Sequence, residues 1–219
     1  LVAARHLHAA GRAVQVNLLA QPSALPADAA AALAQARAAG VPIVQGTEAG
    51  PADMVIDALL GLGTRRAPAG DMARAIAAIN DGGRPVLAVD LPSGLHPDTG
   101  MTLGEHAVRA TATLALLSLK PGCFTGQGRD HAGDVWFDAL DVDAGAPSAW
   151  LTGAPVLPAP LHASHKGSRG DVVVVGGAAG MVGAAWLAAR AALAAGAGRV
   201  YCSPLDEAAS LVDSGQPAL

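Results

Sequence analysis

Two aspartates close apolar runs of strand character: Asp57 ends Met54-Val55-Ile56, and Asp90 ends Val86-Leu87-Ala88-Val89. A turn-forming stretch follows each, with Gly61-Leu62-Gly63 after the first and Leu91-Pro92-Ser93-Gly94 after the second. A carboxylate at a strand end, half buried among apolar neighbours, can act as general acid or base, as a metal ligand, or as the cap of the next turn. Ser93 offers oxygen either to a monovalent cation or to its own turn. No G-x-S-x-G elbow surrounds it, which argues against a serine nucleophile.

Two glycine-bearing stretches accompany the acids. In Gly61-Leu62-Gly63-Thr64-Arg65-Arg66-Ala67 the glycines permit close backbone approach, and the arginines can make charge-assisted bonds to phosphate. A helix predicted to start near Gly70 can point its first amides the same way. The second stretch is HKGSRGDVVVVGGAAGMVGAA, in which Gly183 and Ala184 fall at the start of a predicted helix. It suits a phosphate or nucleotide cradle, or simply tight packing of a strand on a helix. Its spacing matches neither G-x-G-x-x-G nor the P-loop, because Lys166 precedes the strand. His6 and His8 are two apart, on different helix faces, so no zinc-ligand pattern is present.

The elements needed to hold these residues alternate. Helices are expected over 1–10, 27–39 and 70–80, and strands over 13–19, 41–44, 53–57, 85–90, 111–117 and 134–138. Continuous apolar strands separated by helices point to a doubly wound α/β domain with a parallel sheet. Ligands of such folds sit beyond the carboxyl ends of the strands, where Asp57 and Asp90 fall. Residues 143–164 are rich in proline, alanine and glycine and read as a linker. The pattern then resumes with strand 171–175, helix 180–195, strand 199–203 and helix 205–213.

Composition narrows the class. The chain has 219 residues, 52% hydrophobic and 15% charged, with a net charge of -4. That suits a sizeable core and lacks the basic cluster that tracks nucleic acid. Cys123 and Cys202 stand far apart without metal-ligand spacing, as in a reducing compartment. No run reaches the roughly 18 apolar residues of a membrane span.

Four stretches in order, VIDALLGLGT (55–64), VLAVDLPSGL (86–95), LKPGCFTGQGRDHAGDV (119–135) and HKGSRGDVVVVGGAAGMVGAAWLAARAALAAGAGRV (165–200), closely resemble the bifunctional NAD(P)H-hydrate repair enzymes. The resemblance implies a Rossmann-like epimerase domain over 1–145, a linker over 146–164, and over 165–219 the beginning of a ribokinase-like dehydratase using ADP or ATP. It implies potassium bound by Asp57 and Ser93, and the hydrated dinucleotide, NADHX or NADPHX, held by Gly61, Leu62, Gly63, Thr64, Arg65, Arg66 and Ala67. Asp90 would touch the substrate as acid/base, and Gly183 and Ala184 would touch it in the dehydratase half. The implied reaction interconverts the R and S hydrates in the cytoplasm, in a protein that is either monomeric or a homo-oligomer. The family's asparagine- and glycine-rich loop, with its potassium ligand and phosphate contacts, would precede Leu1, and the dehydratase's nucleotide-binding loops and catalytic aspartate would follow Leu219. The chain is therefore expected to be a fragment, with weakened substrate binding and without dehydratase activity of its own. A ribokinase-like small-molecule kinase and a non-catalytic nucleotide-binding module are the alternative functions.

Overall fold

A computed structural model describes residues 1–47, 50–156, 159–210 and 212–216. The chain divides into two compact units, Leu1–Leu151 and Thr152–Leu219.

In the first unit α1 (Val2–Ala9), β1 (Val16–Leu18), α2 (Ala27–Ala38) and β2 (Ile43–Gln45) form a small layer in which β1 and β2 pair in parallel. Ala4, Ala36 and Val41 make its buried centre, with Val16 and Ile43 packed against them. Helix α2 stops where the sequence places Gly40, whose φ of +78° lets the Val41 amide return to the Ala36 carbonyl at 3.1 Å.

The larger sheet contains β3 (Val55–Asp57), β4 (Val86–Val89), β5 (Ala112–Leu116) and β6 (Asp134–Asp138), all parallel and adjacent in that order. Helix α3 (Asp71–Asp81) links β3 to β4. Its Met72, Ala75, Ile76 and Ile79 recur at helical spacing. Ile76 and Ile79 pack on Val86 and Val108 with Val55 and Leu59, fastening the helix to the sheet. The fold class is therefore the expected parallel α/β, with strand bounds shorter than the apolar runs. A short helix, α4 (Gly128–Ala132), lies between β5 and β6.

In the second unit β7 (Asp171–Gly176) and β8 (Arg199–Pro204) pair in parallel across α5 (Val182–Ala194). The helix expected over 205–213 is not formed in the described residues 205–210, 212 and 213, and Leu211 lies outside them. Two local turns take its place. Asp206 accepts from the Ala208 amide at 3.0 Å through its side chain and from the Ala209 amide at 3.0 Å through its carbonyl. Ser210 Oγ accepts from the Val212 amide at 3.2 Å, so side chains turn the backbone again before a helical run is established.

Candidate functional site

The site forms where β3, β4 and β5 end. Asp57 is the last residue of β3, pairs in register with Ala88, and is fully buried. Its carboxylate accepts from Ser93 twice: from the amide at 2.8 Å and from Oγ at 2.6 Å. The Leu59 amide adds a third bond at 3.2 Å. Ser93 Oγ in turn accepts from the Leu60 amide at 2.9 Å. The two turns after β3 and β4 are thus tied together by one carboxylate and one hydroxyl.

Burial pushes the Asp57 carboxyl up from its ordinary value, and the bonds from Ser93 and Leu59 partly oppose that shift. Asp57 has no ion-pair partner among the described residues. A buried carboxylate beside a hydroxyl and the Leu60 carbonyl is a set of hard oxygen donors, which fits an alkali cation by donor type. Among the described residues no group of three or more His, Cys, Asp and Glu could hold a metal. The oxygen donors that surround Asp57 here, the Ser93 hydroxyl and the Leu60 carbonyl, are neutral.

Asp90 follows the last residue of β4. Its amide still bonds to the Leu114 carbonyl at 2.7 Å, continuing the ladder to β5. Its φ of +72° then turns the chain, a left-handed conformation that aspartate tolerates better than most side chains. Oδ1 is engaged by the Lys120 ammonium and by the Leu116 amide at 3.3 Å. Lys120 Nζ also bonds to the Leu116 carbonyl at 2.6 Å, and its side chain is only 5% exposed. Oδ2 receives no donor among the described residues and faces Gly61, where a Cβ would stand 3.9 Å from it. One carboxylate oxygen is clamped and the other is without a bond among the described residues. Close by, burial pushes the Cys123 thiol up to about 11.

The expected phosphate loop lies on the same edge. Gly61 and Thr64 are half-buried, whereas Leu62, Gly63, Arg65, Arg66 and Ala67 are exposed. Neither Arg65 nor Arg66 pairs with a carboxylate among the described residues. Asp57, Ser93, Asp90 and Gly61 therefore converge as a cluster. Gly183 and Ala184 belong to the second unit, exposed on the first turn of α5. Lys120 was not among the residues singled out by type and spacing. Its signal was its position just past the end of β5, the strand beside β4, in a chain with only two lysines.

The model of the N-terminus of YjeF-related proteins matches residues 1–122, more than half of the chain. The chain belongs to this family. The match takes in Asp57, Gly61, Asp90, Ser93 and Lys120, the whole of the cluster. The bifunctional NAD(P)H-hydrate repair enzyme Nnr of Escherichia coli is 38% identical over 216 residues, covering 91% of this chain and 40% of that protein. Nnr of Hyperthermus butylicus is 39% identical over 216 residues, covering 92% and 39%. The bifunctional NAD(P)H-hydrate repair enzyme of Leishmania major is 32% identical over 234 residues, covering 93% and 40%. The chain thus spans about two fifths of the length of these family members.

Proposed function

We propose that the cluster at the ends of β3, β4 and β5 is an NAD(P)H-hydrate epimerase site, part of a repair enzyme whose full gene product couples epimerisation to ADP- or ATP-dependent dehydration of the S hydrate. The observation that carries the reading is Asp90, clamped by Lys120 through one oxygen while the other faces the open glycine loop. The family match over the same residues and the names of the relatives supply the substrate class.

The hydrated C6 of the nicotinamide carries a hydroxyl and is bonded to the ring nitrogen. Asp90 Oδ2 takes the hydroxyl proton as the C6–N bond breaks, leaving a carbonyl at C6 and the electron pair on nitrogen. Re-addition of nitrogen to the opposite face of the carbonyl, with return of the proton from Asp90, inverts the centre. Lys120 holds Asp90 in orientation and offsets charge beside it. Gly61 to Ala67 receive the dinucleotide, with Arg65 and Arg66 facing its phosphates. Asp57 and Ser93 would hold potassium, which supplies a compensating positive charge beside the buried carboxylate. Gly183 and Ala184 would meet the S hydrate in the dehydratase half.

The test is equilibration of separated R and S hydrates, followed by chromatography, in the full gene product with potassium. Asp90→Asn is expected to slow it by at least about 100-fold, the usual loss of a positioned acid/base. Full rate in a folded Asp90→Asn protein would overturn the assignment.

A further inference from the structure

The loops that follow β4 and β5 meet through backbone, and glycines make the approach possible. The Gly122 amide bonds to the Pro97 carbonyl at 2.6 Å, and the Gln127 amide to the Gly100 carbonyl at 2.9 Å. Gln127 Oε1 accepts from the Thr102 amide at 3.2 Å. A Cβ on Gly122 would stand 2.6 Å from the Pro97 carbonyl oxygen and closer still to that of His96. One on Gly100 would stand 2.7 Å from the Gly122 carbonyl oxygen, and one on Gly126 2.6 Å from that of Thr99. Beneath the contact, Leu91 and Leu95 of one loop pack with Cys123 and Phe124 of the other.

Both ends of this clasp lead into the site. Asp90 and Ser93 open the first loop. Lys120 opens the second, and its carbonyl accepts from the Cys123 amide at 3.0 Å in the turn that contains Gly122. We infer that Gly122 is a positioning residue for the candidate site: it lets the two loops close to backbone contact, and that closure carries Lys120 onto Asp90. The functional weight of this contact rests on the reading of Asp90 as the site's carboxylate. The positioning itself does not. A side chain at 122 meets the His96 and Pro97 carbonyl oxygens of the facing loop, backbone rather than the end of a flexible group, so the loops must separate. Separation moves Lys120 and Asp90 apart, because each lies on a different loop.

The chain contains two lysines, Lys120 buried and Lys166 exposed, which supply their own reference. The experiment is reductive methylation with limiting formaldehyde in the full gene product, read at both lysines by peptide mass spectrometry. In the unaltered protein Lys120 is expected to react at least about 10-fold more slowly than Lys166, as buried groups react through local opening. Gly122→Ala brings the two rates within about 3-fold of each other. Gly133→Ala is the control: its Cβ would also strike backbone, 2.6 Å from the Ala110 carbonyl oxygen, but at the opposite end of β5 and β6. It leaves Lys120 protected. Gln127→Ala, which removes only the Thr102 bond, exposes Lys120 partly, and Gln127→Glu keeps the acceptor and the protection; this pair decides the matter if Gly122→Ala does not fold. Protection of Lys120 retained in folded Gly122→Ala, or lost equally in Gly133→Ala, overturns the inference. In an active protein Gly122→Ala lowers kcat with KM unchanged. A full gene product that turns over neither hydrate would instead sink the proposed function while the labelling result stood.

Discussion

Ser93→Ala isolates the most heavily bonded point of the site. The substitution removes the 2.6 Å bond from Oγ to Asp57 and leaves the Leu60 amide without its 2.9 Å acceptor. The 2.8 Å bond from the Ser93 amide survives. A hydrogen bond to a charged group contributes about 1.5–3 kcal/mol and an orphaned amide costs about 1–3 kcal/mol, so a loss of about 3 kcal/mol is expected. Its pH dependence has a definite sign. The Asp57 carboxyl is raised above its ordinary 3.8 by burial, so the native protein holds this proton more tightly than the unfolded chain. Ionisation of Asp57 therefore costs stability as pH rises from 3.8 through the folded value, and the Ser93 bonds reduce that cost. Deleting Oγ does most harm above the folded value, where Asp57 is charged, and least below 3.8, where both states are protonated. Native-state hydrogen exchange by mass spectrometry separates this region from the second unit, using peptides over 55–61 and 86–96 against 171–176. On the alkaline side of the folded value, where Asp57 is charged, exchange of the first two is expected to accelerate about 100-fold, since each 1.4 kcal/mol is tenfold. At about pH 3.5 the ratio to the unaltered protein shrinks to about 10-fold. An acceleration below about 3-fold on that alkaline side, or an equal ratio on both sides, would refute the account.

Two further outcomes follow from the ion pairs. Lys120→Met strands the Asp90 carboxylate, whose side chain is 19% exposed, and is expected to cost about 3 kcal/mol, the low end for breaking a buried pair. Adding Asp90→Asn to it recovers at least about half of that loss by the same exchange measurement, because the uncompensated charge is gone. In the second unit Arg190 bonds to Asp213 at 2.5 and 2.6 Å and holds its carboxyl at about 2. A depressed carboxyl contributes stability above its ordinary 3.8 and loses it as pH falls towards about 2. Asp213→Asn should therefore lower the thermal midpoint at neutral pH, with the difference vanishing on acidification to about pH 2.

The parallel α/β class was legible because β4 reads as an unbroken apolar run and α3 as a helical repeat, and each pattern requires only local spacing. The failed helix over 205–213 marks the limit of such spacing, since periodicity takes no account of the successive side-chain turns at Asp206 and Ser210. Within the site, local pattern alone places groups at strand ends: Asp57 and Asp90 had to lie near the ligand edge once their runs were strands, and Gly61 had to lie in a turn. What those groups do to each other came only with the folded arrangement. It set Ser93, 36 residues away, against Asp57, and brought Lys120, 30 residues from Asp90, into its carboxylate. The reason is physical. Strand and turn identity come from side chains a few positions apart, but pairing across β3, β4 and β5 depends on how loops without internal periodicity close on one another. Here that closure depends on glycines 100 and 122, which show in a sequence only as turns and in three dimensions as backbone contact.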